Sequence, residues 1–195
     1  MTFRSLQRRM GRDLAWRRLK PSGSAGLLLG WFSGPVKGIA EIYLPYRMYK
    51  VVVTDSRVKS ARCIAVDAAA GTLDPYEFPA LPEADAWEEV TSRNVHPAAL
   101  EESQTRRIAI ERTRRLFFSR GFFRLQSPQI TAELIEPEFY VPYWAGFYGG
   151  QHNVKIKVLD AVRQTVEGGK VRQLITSWLL QAQAETSASV PASHS

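Results

Sequence analysis

Cysteine is nearly absent from this 195-residue sequence. Cys63 is the single one, so no disulfide can form within the chain. It lies in an apolar run, where a small buried hydrophobe is expected rather than a reactive thiol. Histidine is scarce too, and none of His96, His152 and His194 has a neighbour at metal-ligand spacing. The sequence contains neither a Gly-Lys-Ser/Thr phosphate loop nor a dinucleotide-binding glycine motif. We therefore assign no metal, no cofactor and no catalytic residue.

Long hydrophobic runs are also missing. The longest apolar stretch covers residues 25–36, and glycine and proline interrupt it, so it is too short and too broken to cross a bilayer. Together with the single cysteine, this favours a cytoplasmic protein. Two alternatives stay open, because the arginine-rich and acid-poor start fits an organelle-targeting segment, and the leucines that follow it resemble part of a secretory signal.

Positive charge is concentrated at the start of the chain. Residues 1–20 carry seven basic groups and one acidic group, whereas the other 175 residues have a balance of only +1. Residues 3–19 have helical apolar spacing, and a Gly/Ser-rich joint follows Pro21. We therefore predict a detached basic arm at 1–26, which suits an anionic partner. Residues 74–97 are acidic and proline-rich, and we interpret them as a connector whose charge could pair with the arm.

One strand pattern occurs twice. The first copy is Glu41-Ile42-Tyr43-Leu44-Pro45-Tyr46, and the second, 97 positions later, is Glu138-Phe139-Tyr140-Val141-Pro142-Tyr143. An Asp-Ala pair and then a threonine follow each copy. We therefore predict an α+β fold with two related helix-plus-antiparallel-hairpin units, which form one sheet covered by helices. The units cover 27–73 and 98–184, and the second ends in an amphipathic helix. Residues 185–195 are expected to be a disordered tail.

The end of the first predicted unit resembles a known family. Residues 64–73, Ile-Ala-Val-Asp-Ala-Ala-Ala-Gly-Thr-Leu, resemble the closing strand and turn of PepSY-like modules, which end in Val-Asp-Ala-x-x-Gly. The resemblance implies a small α+β unit, often paired, of a kind linked to secreted peptidases as an inhibitory or chaperoning piece. Gln164 stands where the second copy would have the glycine, and the Tyr-x-Pro-Tyr strand is not part of the family pattern.

Three groups of residues are candidates for a site. Asp67 and Asp160 end equivalent strands, and each is expected to bond the backbone of its own turn, with catalysis as the alternative. Aromatic residues could form a ligand or partner surface, with core packing as the alternative; they are Tyr43, Tyr46, Tyr140, Tyr143, Trp144 and Tyr148. Arginines in the arm and in the helix predicted at 98–120 are candidates for anion binding. They are Arg8, Arg9, Arg12, Arg17, Arg18, Arg106, Arg107, Arg114 and Arg115.

These observations rank three functions. The first is a non-enzymatic binding or assembly protein with a protein partner, including a second copy of the chain. The second is a binder of nucleic acid or of an anionic membrane through the basic arm, whose affinity would fall steeply with salt. The third is an enzyme that uses Asp67 or Asp160.

Overall fold

The computed structural model describes residues 1–20, 36–54, 59–119, 128–150 and 153–188. These contain seven strands, which are β1 (Thr2–Leu6), β2 (Val36–Thr54), β3 (Lys59–Asp67), β4 (Tyr76–Phe78), β5 (Trp87–Thr91), β6 (Gln129–Gly150) and β7 (Asn153–Asp160). The three helices are α1 (Arg12–Leu19), α2 (Glu102–Ser119) and α3 (Gly169–Ala188). Strand residues outnumber helical residues, so the described part of the chain is mostly β.

All seven strands belong to one mixed sheet. Its order is β4-β3-β2-β6-β1-β5, and β7 also pairs with β6. The β1–β5, β2–β3, β3–β4 and β6–β7 pairings are antiparallel, whereas β1 runs parallel to β6 where Ser5 meets Tyr140. The first strand therefore lies beside strands that come far later in the sequence.

The two hairpins share one register. In the first, the β2–β3 ladder begins at Tyr46↔Asp67, and in the second the β6–β7 ladder begins at Tyr143↔Asp160. Pro45 and Pro142 each come one residue before the ladder begins, so neither position requires a backbone N–H that donates to the partner strand. Because proline cannot donate a ladder hydrogen bond, the sequence predicts an edge, a strand start or a bulge for Pro45 and Pro142. They lie instead inside long strands, where a ladder begins.

The chain divides into two compact units. Unit 1 comprises residues 1–8 and 42–142, and unit 2 comprises residues 9–41 and 143–195. In unit 1, Phe3 packs on Tyr43 and Tyr140, with ring centroids 5.0 and 4.5 Å apart. A second cluster joins the β2–β3 hairpin to α2. Unit 2 has its own core, in which α1 packs on the β6–β7 hairpin. Both β2 and β6 are therefore divided between the units.

The predicted fold class is wrong. The structure is a mostly β sheet with three helices and does not consist of two repeated helix-plus-hairpin units covered by helices. The basic helix that precedes the first copy, α1, packs on the β6–β7 hairpin of the second copy instead of on the first hairpin. The repeated sequence covers only strand and turn residues, and it therefore held no information about what surrounds each hairpin.

The basic arm is a second correction. Residues 1–20 are not detached, because Thr2–Leu6 forms β1 within the sheet and Arg12–Leu19 forms α1. The acidic connector is also structured, since it contains β4 and β5, and β5 pairs with β1. The predicted pairing of their charges is observed where the Arg8 guanidinium lies 4.0 Å from the Glu88 carboxylate.

Several element predictions are confirmed. The sequence predicts strands at 41–53, 62–68 and 154–160 and helices at 98–120 and after Gly169, and the structure contains each of them. The strands predicted at 129–136 and 138–148 are one continuous strand, and α3 extends past the predicted start of the tail. The joint at 21–26, a strand predicted at 122–126 and residues 189–195 lie outside the described residues. Among the described helices, none combines the length and the apolar character needed to cross a membrane.

Candidate anion-binding site

Two aromatic side chains hold α1 at both of its ends. Just before the helix, the Met10 carbonyl accepts a hydrogen bond of 2.8 Å from Trp144 Nε1. At its last residue, the Leu19 carbonyl accepts one of 2.5 Å from the Tyr148 hydroxyl. The last carbonyls of a helix have no partner within it, so the Tyr148 bond satisfies a group that would otherwise be orphaned, and the Trp144 bond fixes the residue just before the N-cap. Burial raises the pKa of Tyr148 to about 12, which keeps its hydroxyl a donor at neutral pH.

The apolar side of α1 faces the interior of unit 2. Ala15 and Leu19 are buried in the same cluster as Trp144 and Tyr148. Leu19 approaches Gly146 so closely that a Cβ there would lie 2.9 Å from its Cδ1. Glycine at 146 therefore lets the helix approach the strand. While Ala15 and Leu19 are directed inward, the arginines of α1 are exposed.

The loop that follows β7, residues 161–164, holds the residues just before α1. The backbone N–H groups of Arg9 and Met10 both donate to the Ala161 carbonyl, at 2.9 and 3.0 Å. The Gln164 side-chain amide donates to the Arg9 carbonyl at 3.1 Å, and the Arg18 guanidinium donates to the Gln164 carbonyl. Backbone groups rather than carboxylates therefore position this part of the basic segment.

The strand register places two lysines on the α1 side of the hairpin. Opposite residues of an antiparallel ladder share a face, and Tyr148 pairs with Lys155 while Gly146 pairs with Lys157. The Lys157 ammonium lies 5.0 Å from the centre of the Tyr148 ring. Because Tyr148 also holds α1, the two lysines and the helix lie on one face of the hairpin.

A groove of about 380 Å³ lies beside these lysines, between β7 and α3. Lys155 and Lys157 line it from the strand, and Arg172, Gln173 and Ser177 line it from the helix. Of the described residues that form its walls, none is acidic. The groove therefore combines three cationic groups with neutral donors.

Formal charge is divided unequally between the units. Unit 2 contains 11 Lys and Arg against 5 Asp and Glu, a balance of +6, whereas unit 1 has 15 against 14, a balance of +1. The chain's net charge of +7 therefore belongs almost entirely to unit 2. The sequence placed this charge in an arm, but the structure distributes it over α1, β7, α3 and the segments that join them.

The candidate arginines are all exposed and are divided between the two units. Arg8 belongs to unit 1, where it pairs with Glu88. Arg9, Arg12, Arg17 and Arg18 belong to unit 2 and lie on or beside α1. Four others lie on α2 in unit 1, and they are Arg106, Arg107, Arg114 and Arg115. Arg106 forms an ion pair with Glu102 one turn away. We therefore interpret the α2 arginines as a solvated helix surface.

The aromatic residues that the sequence offered as a ligand or partner surface lie in the core instead. At most 5% of any of them is exposed, so none can present a stacking face to a ligand or partner. They are Tyr43, Tyr46, Tyr140, Tyr143, Trp144 and Tyr148. The alternative of core packing is therefore confirmed.

Both strand-end aspartates bond the backbone of their own turns, as expected. Asp67 accepts hydrogen bonds from the N–H groups of Ala70, Gly71 and Leu73, at 2.7 to 2.9 Å. Asp160 Oδ1 accepts bonds from Val162 and Arg163 in the same way. Each carboxylate is fully buried and held as a turn acceptor.

Cys63 is buried, as the sequence predicted, and burial raises the pKa of its thiol. It borders a second, mainly apolar groove of about 370 Å³ in unit 1, beside Pro79 and Leu81. A raised pKa lowers the thiolate fraction at neutral pH, which argues against a reactive role.

Sequence reasoning missed Lys155, Lys157 and Arg172. Alternation of lysine with Val154, Ile156 and Val158 did indicate that the lysines share one face of a strand. Their position relative to Arg172 could not be read from that pattern, because it depends on how α3 packs beside β7.

Comparisons with known proteins gave no match. No protein family, no characterised protein and no solved structure matched the chain. The resemblance of residues 64–73 to PepSY-like modules therefore stays a prediction.

Proposed function

We propose that the protein is a non-enzymatic binding protein and that unit 2 binds the phosphate backbone of a nucleic acid. The observation that carries this proposal is the charge of +6 in unit 2, against +1 in unit 1. Lys and Arg groups on a folded surface attract phosphates, and the release of condensed counterions supplies much of the binding free energy.

The surface of α1 supports a phosphate partner over the protein partner that the sequence ranked first. Arg12 and Arg17 are exposed on a helix whose ends are fixed by Trp144 and Tyr148. A fixed helix presents its cations without paying the entropy of folding upon binding. Backbone contacts of this kind carry little sequence information, so we propose binding with weak sequence preference.

The orientation of α1 favours nucleic acid over a membrane. A helix that binds a bilayer surface inserts its apolar face among the acyl chains. In α1, Ala15 and Leu19 are packed in the core of unit 2, and Leu14 is its one exposed aliphatic side chain. A single leucine offers little apolar area for insertion, so attraction to lipid headgroups would be mainly electrostatic.

The absence of a catalytic role is supported by the two aspartates. Asp67 and Asp160 are buried, and their oxygens accept hydrogen bonds from turn N–H groups. A carboxylate held in this way is poorly placed to exchange protons with a substrate. Self-association of the chain stays a prediction.

The proposal is tested by fluorescence anisotropy with a labelled oligonucleotide. The double variant Arg12→Gln/Arg17→Gln is expected to weaken binding about tenfold or more, because two phosphate contacts are lost. The matched control, Arg114→Gln/Arg115→Gln, removes two exposed arginines from α2 in unit 1 and is expected to change binding less than twofold. The same loss in both variants would refute the proposal, and so would binding to phosphatidylserine vesicles with none to the oligonucleotide.

A further inference from the structure

The groove between β7 and α3 has a chemical character of its own. Lys155 and Lys157 project from alternate positions of one strand, and Arg172 reaches the same groove from the first turn of α3. Its volume of about 380 Å³ is within the usual range for small-molecule sites and exceeds what a single ion requires.

Neutral groups of α3 complete the set of donors. Gln173 and Ser177 lie one helical turn apart and line the groove together. The Thr176 hydroxyl already donates to the Arg172 carbonyl at 2.7 Å, so its oxygen is left as an acceptor. Directed hydrogen-bond donors therefore come from the Gln173 amide, the Ser177 hydroxyl and the Arg172 guanidinium, and the two lysines add positive charge.

Three cations match a phosphate monoester better than a phosphodiester. A monoester carries a charge of about −1.5 to −2 at pH 7 and three strong acceptor oxygens. A diester in a nucleic-acid backbone carries one negative charge and two free oxygens, so it would leave most of the donors unused. Val154 and Ile156 also border the groove, which therefore includes apolar surface for the group attached to the phosphate.

We propose that this groove binds a terminal phosphate monoester of a nucleic-acid strand. The proposal rests on the proposed function, because α1 and Lys155 lie on one face of the same hairpin and a strand bound along that face could place its end in the groove. Backbone diesters would then meet the arginines of α1, and the strand terminus would meet Lys155, Lys157 and Arg172.

The test compares oligonucleotides of one sequence, internally labelled, with a 5′-phosphate, a 3′-phosphate or hydroxyl ends. We expect at least fivefold tighter binding for one of the phosphorylated strands than for the hydroxyl-ended strand. In Lys155→Gln/Arg172→Gln this preference should fall to about one. Arg12→Gln/Arg17→Gln should weaken all three strands and retain the preference. Equal binding of the three strands to the wild-type protein, or a preference that survives Lys155→Gln/Arg172→Gln, would overturn the proposal.

A separate titration distinguishes failure of this proposal from failure of the proposed function. Adenosine monophosphate and adenosine are compared by calorimetry with the full chain, and Ser177→Ala provides a mild variant that removes only one donor. If no oligonucleotide binds but the monophosphate does, and its binding is weakened by Ser177→Ala, the groove is a phosphate-monoester site, whereas a nucleic-acid ligand is refuted both for the groove and for the proposed function. If neither oligonucleotides nor the monophosphate bind, both proposals fall.

Discussion

Gly71 and Gln164 each lie four residues after a buried strand-end aspartate, and both have a left-handed backbone, with φ of 70° and 60°. Glycine adopts this conformation readily, whereas glutamine does so only under constraint. At Gln164 the constraint includes its amide bond to the Arg9 carbonyl and a backbone bond from its N–H to the Asp160 carbonyl. A left-handed backbone at the same distance from the aspartate is therefore reached with two different residue types.

Gly71→Ala is expected to destabilise the protein. A Cβ at this position would lie 2.5 Å from Ile108 Cδ1 and 2.9 Å from Leu100 Cδ1, and the positive φ adds backbone strain. We expect a loss of about 1–2 kcal/mol in the free energy of unfolding, measured by urea denaturation. Gly38→Ala in β2 is the control, because nothing lies within 4 Å of its added Cβ. Equal stabilities of the two variants would contradict the prediction.

Asp67→Asn should also lower the free energy of unfolding, although it only replaces one carboxylate oxygen by an amide group. Asp67 Oδ1 accepts two backbone hydrogen bonds and Oδ2 accepts a third from Leu73. An asparagine amide replaces one acceptor by a donor, so at least one buried N–H loses its partner, at a cost of about 1–3 kcal/mol. Asp85→Asn on the surface is the comparison, with no loss expected. A midpoint of urea unfolding unchanged in Asp67→Asn would show that the carboxylate is dispensable.

Stability should depend on pH through His96. Burial lowers the pKa of His96 below its ordinary value of 6.5, although the Pro97 carbonyl and Asp67 act in the opposite direction. As pH falls below 6.5, the unfolded chain binds a proton that the folded chain resists, so the free energy of unfolding decreases. Above 6.5 the residue is neutral in both states and contributes no pH dependence. We expect a smaller decrease between pH 7.5 and 5 in His96→Gln, and identical pH profiles would refute the assignment.

Salt dependence provides a measure of phosphate contacts. For a single-stranded oligonucleotide, each neutralised phosphate contributes about 0.7 to the slope of log affinity against log salt. Arg12→Gln/Arg17→Gln should therefore reduce this slope by about 1.4, measured by anisotropy at several salt concentrations. The slope of Arg114→Gln/Arg115→Gln should equal that of the wild-type protein. A wild-type affinity that does not change with salt would exclude backbone phosphate as the main contact.

The hairpins and the later helices could be predicted because their signals are local. Each hairpin is indicated by a Tyr-x-Pro-Tyr strand and a strand-end aspartate that are close in sequence. The last helix is indicated by the apolar spacing of Val171 and Ile175, and both side chains are buried as expected. The strand β1 could not be found in this way. Phe3, Leu6 and Met10 fit helical spacing, but Phe3 is buried by Tyr43 and Tyr140, which are distant in sequence.

The candidate site was predicted only in part for a related reason. The sequence identified the arginines of α1, and the structure leaves them exposed. Each unit, however, consists of two separated segments, so the concentration of charge in unit 2 is not visible when residues are counted along the chain. The groove requires β7 and α3 to be side by side, and no local pattern reports that packing.

The position of β1 has a consequence for synthesis. Thr2–Leu6 leaves the ribosome well before its partners, which are residues 87–91 and Tyr140. Because β6 is divided between the two units, neither can be completed before most of the polypeptide has been made. The nascent protein must therefore keep an unpaired strand available for most of translation, a period in which chaperone binding would protect it from aggregation.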